Sequence, residues 1–255
     1  MPFLSKLLSL AARLRRTAPG KEQPFCSAVV VAAGTSRRMG GKDKLFLEIC
    51  GAPVLAHTLL AFQNSDHISE IIIVARCDMT GLVSELCERY GISKVKKIVT
   101  GGESRQESVL CGVNAASKKA SLISIHDGAR PCVDGEIIGN AVSVAAKHHA
   151  AAAGIPLSST VKKVKLGIVT ETVDREGLYE IQTPQVFASE IIKAALKNAA
   201  NKAVCITDDC MAVELLGIPI HITEGSRSNI KLTTGEDILI AEGILYSRAK
   251  IFAEL

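Results

Sequence analysis

The sequence predicts an α/β fold in which a mostly parallel sheet lies between two layers of helices and a β-hairpin arm protrudes. Short continuous apolar runs recur along the chain, as strands buried on both faces do. Between them lie stretches with apolar residues at helical spacing, the alternation of βαβ units. A third observation predicts the arm. Over 157–183 the alternation stops, and the segment is polar, β-branched and long for a simple connection.

The first run, 26–31, is Cys-Ser-Ala-Val-Val-Val; a Gly-rich segment over 34–41 and a helical pattern over 53–63 follow. Residues 70–75 read as the next strand, and a helical stretch then runs to Tyr90. A strand over 95–99, a helix over 104–117 and a strand over 122–126 come next. A helix at 135–148 and a strand over 151–155 complete the regular part. In the arm, 160–164 and 168–173 form the sides of a hairpin around 165–167, and 178–182 continues it. Such an arm packs on a partner subunit or folds over its own subunit's site; both stay open. Beyond Pro184 the pattern gives helices over 188–200 and 208–216, a strand over 218–223 and a last helix over 235–252.

Residues 25–255 thus read as one domain, large enough to bury a sizeable core. Hydrophobic residues make up 47% and charged residues 22%, a globular composition. With no Trp and 4% aromatics, the core rests on Val, Ile, Leu and Ala. No apolar run is long enough to span a bilayer. The eight cysteines form no C-x-x-C pair, which fits reduced thiols in a cytoplasmic protein better than a disulfide or zinc framework.

The formal charge is +4, from 30 basic and 26 acidic residues. Lys6, Arg13, Arg15, Arg16 and Lys21 all precede the first acid, Glu22, and without them 25 basic residues face 26 acidic ones. The body gives no reason to expect a nucleic-acid or membrane partner. Residues 1–24 read as a poorly ordered basic leader with Leu4, Leu7, Leu8, Ala11 and Leu14 at helical spacing. Its basic residues mostly follow the apolar stretch, the wrong order for a secretory signal. A transit peptide, which would mean a plastid, a membrane-surface helix and a partner-docking helix remain alternatives for it.

Ligands of open α/β sheets bind at the carboxyl ends of the strands. The loop over 32–44 joins Ala32, Ala33 and Gly34 to Arg37, Arg38, Lys42 and Lys44. Small residues expose backbone N–H groups, guanidinium groups grip phosphate oxygens, and a lysine can approach a reacting phosphorus, so the loop suits a polyphosphate. It matches neither G-x-G-x-x-G nor G-x-x-x-x-G-K-[ST], which disfavours a dinucleotide fold or a P-loop NTPase. A second loop, Gly101-Gly102-Glu103-Ser104-Arg105, opens a helix bearing Ser108. A third is His126-Asp127-Gly128-Ala129-Arg130-Pro131. Asp127, at a strand end, is placed as a Mg²⁺ ligand would be, with phosphate oxygens completing the shell. His126 reads as a packed or hydrogen-bonded histidine, since transfer to a phosphate needs no base. Lys231 and, on the arm, Arg175 are further cations for a phosphate-bearing second substrate, although each alone reads as a surface charge.

These segments resemble those of the 2-C-methyl-D-erythritol 4-phosphate cytidylyltransferases. AAGTSRRMG, GGESRQESV, HDGARPC, PLSSTVKKV, TVDREGLYEIQTPQVF, ITDD and SNIKLTT occur in the family's order over about 25–250. The resemblance implies a Rossmann-like, GT-A-like nucleotidyltransferase fold. It implies transfer of CMP from CTP to 2-C-methyl-D-erythritol 4-phosphate, with release of pyrophosphate, in non-mevalonate isoprenoid-precursor synthesis. It implies that Ala32, Ala33, Gly34, Gly102, Glu103, Ser108 and Gly128 hold the nucleotide and that Arg38, Lys44 and Lys231 are the catalytic cations. Asp127 would bind Mg²⁺, and Arg130, Thr160, Arg175 and Thr183 would surround methylerythritol phosphate. Arg175 and Thr183 would reach across from a partner's arm, making a cytoplasmic homodimer the working state.

The chain also departs from the family. Asp43-Lys44-Leu45 stands where Pro-Lys-Gln is frequent, which leaves Lys42 as a competitor of Lys44, though Lys44 keeps the better register before Phe46-Leu47. Ser228 stands where an acid often precedes Asn-Ile-Lys, and Gly128 where Ala is frequent. With the chain ending at Leu255, the form fused to the pathway's cyclodiphosphate synthase is not expected. The rivals are a ribitol 5-phosphate cytidylyltransferase, which shares the CTP half of the site, and a nucleotide-binding regulator without turnover. HDGARPC with TVDREGLY favours methylerythritol phosphate over the first; the set Arg38, Lys44, Asp127 and Lys231 argues against the second.

Overall fold

The computed structural model describes residues 23–34 and 43–253. Strand β1 (Cys26–Ala32) comes first, and a short antiparallel pair, β2 (Glu48–Ile49) and β3 (Ala52–Pro53), leads into α1 (Val54–Gln63). Then follow β4 (Glu70–Ala75), α2 (Thr80–Arg89), β5 (Val95–Thr100), α3 (Arg105–Ala115), β6 (Leu122–Asp127), α4 (Gly135–His148) and β7 (Ala150–Pro156). β8 (Val161–Lys165) and β9 (Ile168–Val173) form the arm. β10 (Tyr179–Ala188), α5 (Ser189–Asn201), α6 (Asp209–Glu214), β11 (His221–Glu224) and α7 (Glu236–Ala253) complete the domain.

The main sheet has the order β11-β7-β10-β6-β1-β4-β5. Its strands are parallel except β10, which pairs antiparallel with both β6 and β7. Because successive side chains of a strand point to opposite faces, a continuous apolar run serves two cores at once. Ala28, Val30, Ile71 and Ile73 pack against Leu55, Leu59, Phe62, Val83, Ile138 and Ala241 on one face. Val29, Ile72 and Val74 pack against Val109, Val113, Ile192, Leu196 and Val213 on the other. Each fully buried aliphatic side chain of this kind contributes about 1.5–3 kcal/mol. Helix starts are fixed by side chains: Ser104 and Glu107 form a reciprocal capping box on α3, and Asp134 and Asp208 cap α4 and α6.

The three-layer fold is as predicted, with two corrections. The segment after the arm is not its continuation. β10 runs through Pro184 to Ala188 in the middle of the main sheet, with a register shift between Ile181 and Gln185. Proline supplies no N–H to a ladder and sits in sheets at such irregularities, which is why it looked like a strand end. The arm is correspondingly shorter. β8 and β9 pair with each other around Leu166 (φ 51°) and Gly167 (φ 79°), a two-residue turn with both φ values positive. The second correction is smaller: the strand expected over 218–223 begins only at His221.

Helix α3 carries the second loop of the site, and its closeness to the sheet depends on Gly112. A Cβ there would stand 2.4 Å from Val29 Cγ1 and 2.6 Å from Val74 Cγ2, both in a core without slack. Gly112→Val is expected to lower unfolding stability by about 1–3 kcal/mol, the usual cost of overpacking. Urea denaturation measures it, and a midpoint equal to that of the unaltered chain would refute the close approach.

Candidate active site

Ala33 and Gly34, which follow β1, and the loops that follow β5 and β6 converge at the carboxyl edge of the sheet, where two compartments open. The first, about 580 Å³, is lined by Ala33, Gly34, Arg76, Gly102, Glu103 and Ser108 among others. The close packing of its glycine wall has a cause in the sequence. A Cβ on Gly101 would stand 2.6 Å from both Ala33 Cβ and Ser108 Oγ, and one on Gly102 would stand 2.4 Å from Glu107 Cβ. Only glycine lets this loop lie against the first turn of α3. The capping box stiffens it further, since Glu107 Oε2 accepts from the N–H groups of Glu103 (2.7 Å) and Ser104 (3.1 Å).

Ala33, Gly34, Gly102, Glu103 and Ser108 therefore do come together. Ala32 and Gly128 line neither compartment. Gly128 is buried behind the end of β6, its N–H donated to Val31 O at 2.9 Å and its own carbonyl accepting from Thr58 Oγ1 at 2.9 Å. Arg37, Arg38 and Lys42 lie outside the described residues.

The second compartment, about 490 Å³, is lined by Arg130, Glu180, Gln182, Arg227, Ile230 and Lys231 among others. Asp127 lies between the two, in a smaller recess that it shares with Arg105, Arg130 and Lys231. Lys231 Nζ is 2.8 Å from Asp127 Oδ2, Arg105 Nε is 3.5 Å from Oδ1, and Arg130 Nε is 3.8 Å from Oδ2. Burial by itself would raise the pKa of this carboxyl. The charges of Lys231, Arg105 and Arg130 outweigh burial and hold it well below the usual carboxylate range. Asp127 is an anion at any physiological pH.

Each cation is positioned by its own support. Arg105, the first residue of α3, donates from Nη2 to Asp209 Oδ2 at 2.8 Å. Asp209 is fully buried, which raises its pKa, with Arg105 pulling it down again. Arg130 Nη1 donates to Asn229 O at 2.6 Å, and Leu232 N donates to Ala129 O at 2.8 Å, so the segment bearing Lys231 is fastened to the loop after β6. Lys44 reaches the same segment, its Nζ 2.6 Å from Leu232 O. Asp43, capping the turn that bears Lys44, pairs with Arg76 at 2.7 Å. Lys44 and Lys231 are thus brought to one short stretch of chain.

Thr183 is placed by β10 in its own chain's site, not on the arm. Its Oγ1 accepts from Asp127 N at 3.2 Å and lies 3.0 Å from His126 Nδ1, and its carbonyl accepts from Asn229 Nδ2 at 2.9 Å. The expectation that it reaches across from a partner is corrected: it is nearly inaccessible and belongs to the main sheet. Thr160 and Arg175 are exposed on the arm and line neither compartment of their own chain; Arg175 Nη1 donates to Ser158 O. Arg105 and Asp209 have functional positions that residue-by-residue reading misses. The signal available was two charged residues, one in each of the motifs GGESRQESV and ITDD, in a domain with few buried charges.

His126 is fully buried, and burial is the main reason its pKa falls to about 3. It is a neutral ring against Phe62, not a proton acceptor for chemistry. In the unfolded chain it titrates near 6.5. Between these values the unfolded state binds the extra proton, so stability falls as pH falls from about 6.5 towards 3, by up to about 1.4 kcal/mol per unit. His126→Gln should flatten the stability–pH slope between pH 6.5 and 4.5 in urea titrations. An unchanged slope would show that other groups cause it.

The sequence model described as IspD, 2-C-methyl-D-erythritol 4-phosphate cytidylyltransferase, matches residues 26–247. A protein named 2-C-methyl-D-erythritol 4-phosphate cytidylyltransferase from Halalkalibacterium halodurans is 45% identical over 225 residues, 88% of this chain and 98% of that one. One of the same name from Dehalococcoides mccartyi is 44% identical over 86% of this chain and 95% of its own length. The crystal structure of 4-diphosphocytidyl-2C-methyl-D-erythritol synthase from Anaerococcus prevotii superposes with a TM-score of 0.79 at 30% identity, covering 88% of this chain and 97% of that one. With its mostly parallel sheet, glycine-bound cleft and cation-ringed aspartate, the chain belongs to the IspD family of nucleotidyltransferases.

Proposed function

We propose that this chain transfers CMP from CTP to 2-C-methyl-D-erythritol 4-phosphate, with CTP in the glycine-bound cleft and the acceptor in the compartment beside Arg130 and Lys231. One observation carries this reading: Asp127 and its three cations stand where the two compartments meet. Two polyanions must be brought into contact there, and converging cations offset their repulsion.

Mg²⁺ fits the residues present. Among the described residues no group of three acidic, His or Cys side chains could hold a metal. Asp127 is a single ionised oxygen donor, and Mg²⁺ in phosphoryl-transfer sites is held by one or two carboxylates with substrate phosphates completing the shell. When bound, the ion neutralises charge on phosphate oxygens. An acceptor phosphate oxygen attacks the α-phosphorus of CTP in line, the bond to the bridging oxygen breaks, and pyrophosphate leaves. The attacking phosphate is already ionised near neutral pH, so no base is required, consistent with a neutral His126. Lys44 and Lys231 stabilise charge on the non-bridging oxygens, and Ala33, Gly34, Gly102, Glu103 and Ser108 hold the cytidine. Arg38 is assigned the triphosphate.

The working unit is a homodimer joined through the arm. Val164, Leu166, Ile168 and Val169 are exposed there, which is costly for a free monomer, and Thr160 and Arg175 would enter the partner's acceptor compartment. A cytoplasmic setting suits the eight unpaired cysteines, and among the described residues no helix is long and apolar enough to cross a membrane.

Pyrophosphate release from CTP, with methylerythritol phosphate and ribitol 5-phosphate in parallel, tests the reading. Turnover is expected with the first; release with ribitol 5-phosphate alone would overturn it. Lys44→Ala should lower kcat by about 10²–10³-fold, the scale of one preorganised donor, while changing KM for CTP much less. A change in KM with kcat intact would move the role to Lys42 or Arg38.

A further inference from the structure

The acceptor compartment has two ends of different chemistry. It shares Arg130, Gln182 and Lys231 with the recess around Asp127, so that end receives the phosphate that reacts. The other end is lined by Ile155, Glu180, Arg227 and Ile230, none of which lines the recess. Glu180 and Ile155 are register partners on β10 and β7, and Glu180 is close enough to Arg130 for its charge to be felt there.

Arg227 is presented on a built turn. Asn229 N donates to Ser226 O at 3.0 Å, closing Ser226 to Asn229 with Arg227 between. Gln182 clamps this turn to β10, its Nε2 donating to Ser226 O at 2.8 Å and its Oε1 accepting from Ser226 N at 3.3 Å and Asn229 Nδ2 at 3.1 Å. Ser228 faces away from the compartment, engaged by Ser226 Oγ at 2.7 Å and Arg248 Nη2 at 3.0 Å. Lys231 and Arg130 both face Asp127, whereas Arg227 makes no ion pair or hydrogen bond among the described residues. A guanidinium with five donors and a carboxylate with acceptor oxygens, on two walls that also carry Ile side chains, match a branched polyol.

We propose that Glu180 and Arg227 are specificity residues that bind the hydroxyl groups of the acceptor, while Ile155 and Ile230 receive its apolar branch. Glu180 accepts from the hydroxyls and Arg227 donates to them, so the compartment distinguishes polyol phosphates by their hydroxyl pattern, beyond the phosphate they share. This rests on the transfer reaction proposed above.

The test measures pyrophosphate release by the unaltered full-length chain and by Glu180→Ala, Arg227→Ala and Arg227→Lys, varying each acceptor at saturating CTP and then CTP at a fixed concentration of methylerythritol phosphate. The acceptors are 2-C-methyl-D-erythritol 4-phosphate, erythritol 4-phosphate and ribitol 5-phosphate. Each alanine variant is expected to lose about 10–100-fold in kcat/KM for methylerythritol phosphate, mainly through KM, as for a lost hydrogen bond to a charged group. KM for CTP should stay unchanged, the preference over ribitol 5-phosphate should shrink, and Arg227→Lys should recover part of the loss. An unchanged kcat/KM for methylerythritol phosphate overturns the proposal. So does an equal loss on all three acceptors, or a parallel rise in KM for CTP, because either indicates a general electrostatic or structural effect. If the unaltered chain turns over none of the acceptors, the transfer reading itself falls and takes this one with it; retained preference in active variants defeats only the assignment of Glu180 and Arg227.

Discussion

Three cations converge on the Asp127 carboxylate, and the site is organised around that contact. Lys231, Arg105 and Arg130 come from the 229–233 segment, the start of α3 and the loop after β6. Without an acid between them they would repel one another. At 4 Å, a unit charge pair near a protein surface is worth about 4 kcal/mol in either sign. Because Asp127 is nearly buried, the attraction is weakly screened, and three separate segments are drawn to one strand end. The cations gathered in this way are the ones the proposed transfer between two phosphate-bearing substrates would use.

The strand that makes the cluster possible is β10. Running against its neighbours, it delivers Thr183 to the backbone N–H of Asp127 and Gln182 to the 226–229 turn. Further along, Gln185 Oε1 accepts from the N–H groups of Asp209 and Cys210, both at 3.1 Å, and its Nε2 donates to Asp208 Oδ2 at 2.9 Å. That places Asp209 beneath Arg105. A parallel strand here would end with the others at the carboxyl edge. An antiparallel one carries three polar side chains past the site on the way to its core end at Phe187.

The parallel strands were legible because each is buried on both faces and therefore unbroken in its hydrophobicity. β10 was not, for the opposite reason: Gln182, Thr183, Pro184 and Gln185 occupy its middle, and a polar run with a proline reads as a connection. Those residues are polar because they serve the site, so function hid the element that builds it. Thr183 closes the 157–183 segment that reads as the arm, where the resemblance puts it on a partner; the register of β10 places it in the main sheet instead. The nucleotide loop was legible because its small residues are required sterically, as Gly101 and Gly102 show. Arg105 and Asp209 were not, because a charge that acts by holding another charge leaves no spacing pattern.

The net charge of +4 gave little guidance, but exposure within the cluster separates the cations by what each can do. The Arg130 side chain is 8% exposed and tied to Asn229 O, and Arg105 is held by a buried acid; neither can leave Asp127 without abandoning a second partner. Lys231 is 41% exposed, its one ion pair among the described residues is with Asp127, and its flexible stem ends in a compact ammonium. It can turn from the carboxylate to a phosphate oxygen within reach of the same stem. In the transfer proposed above, the two arginines would act as fixed charges that set the potential of the site, and Lys231 as the cation that follows charge onto the transferring phosphate.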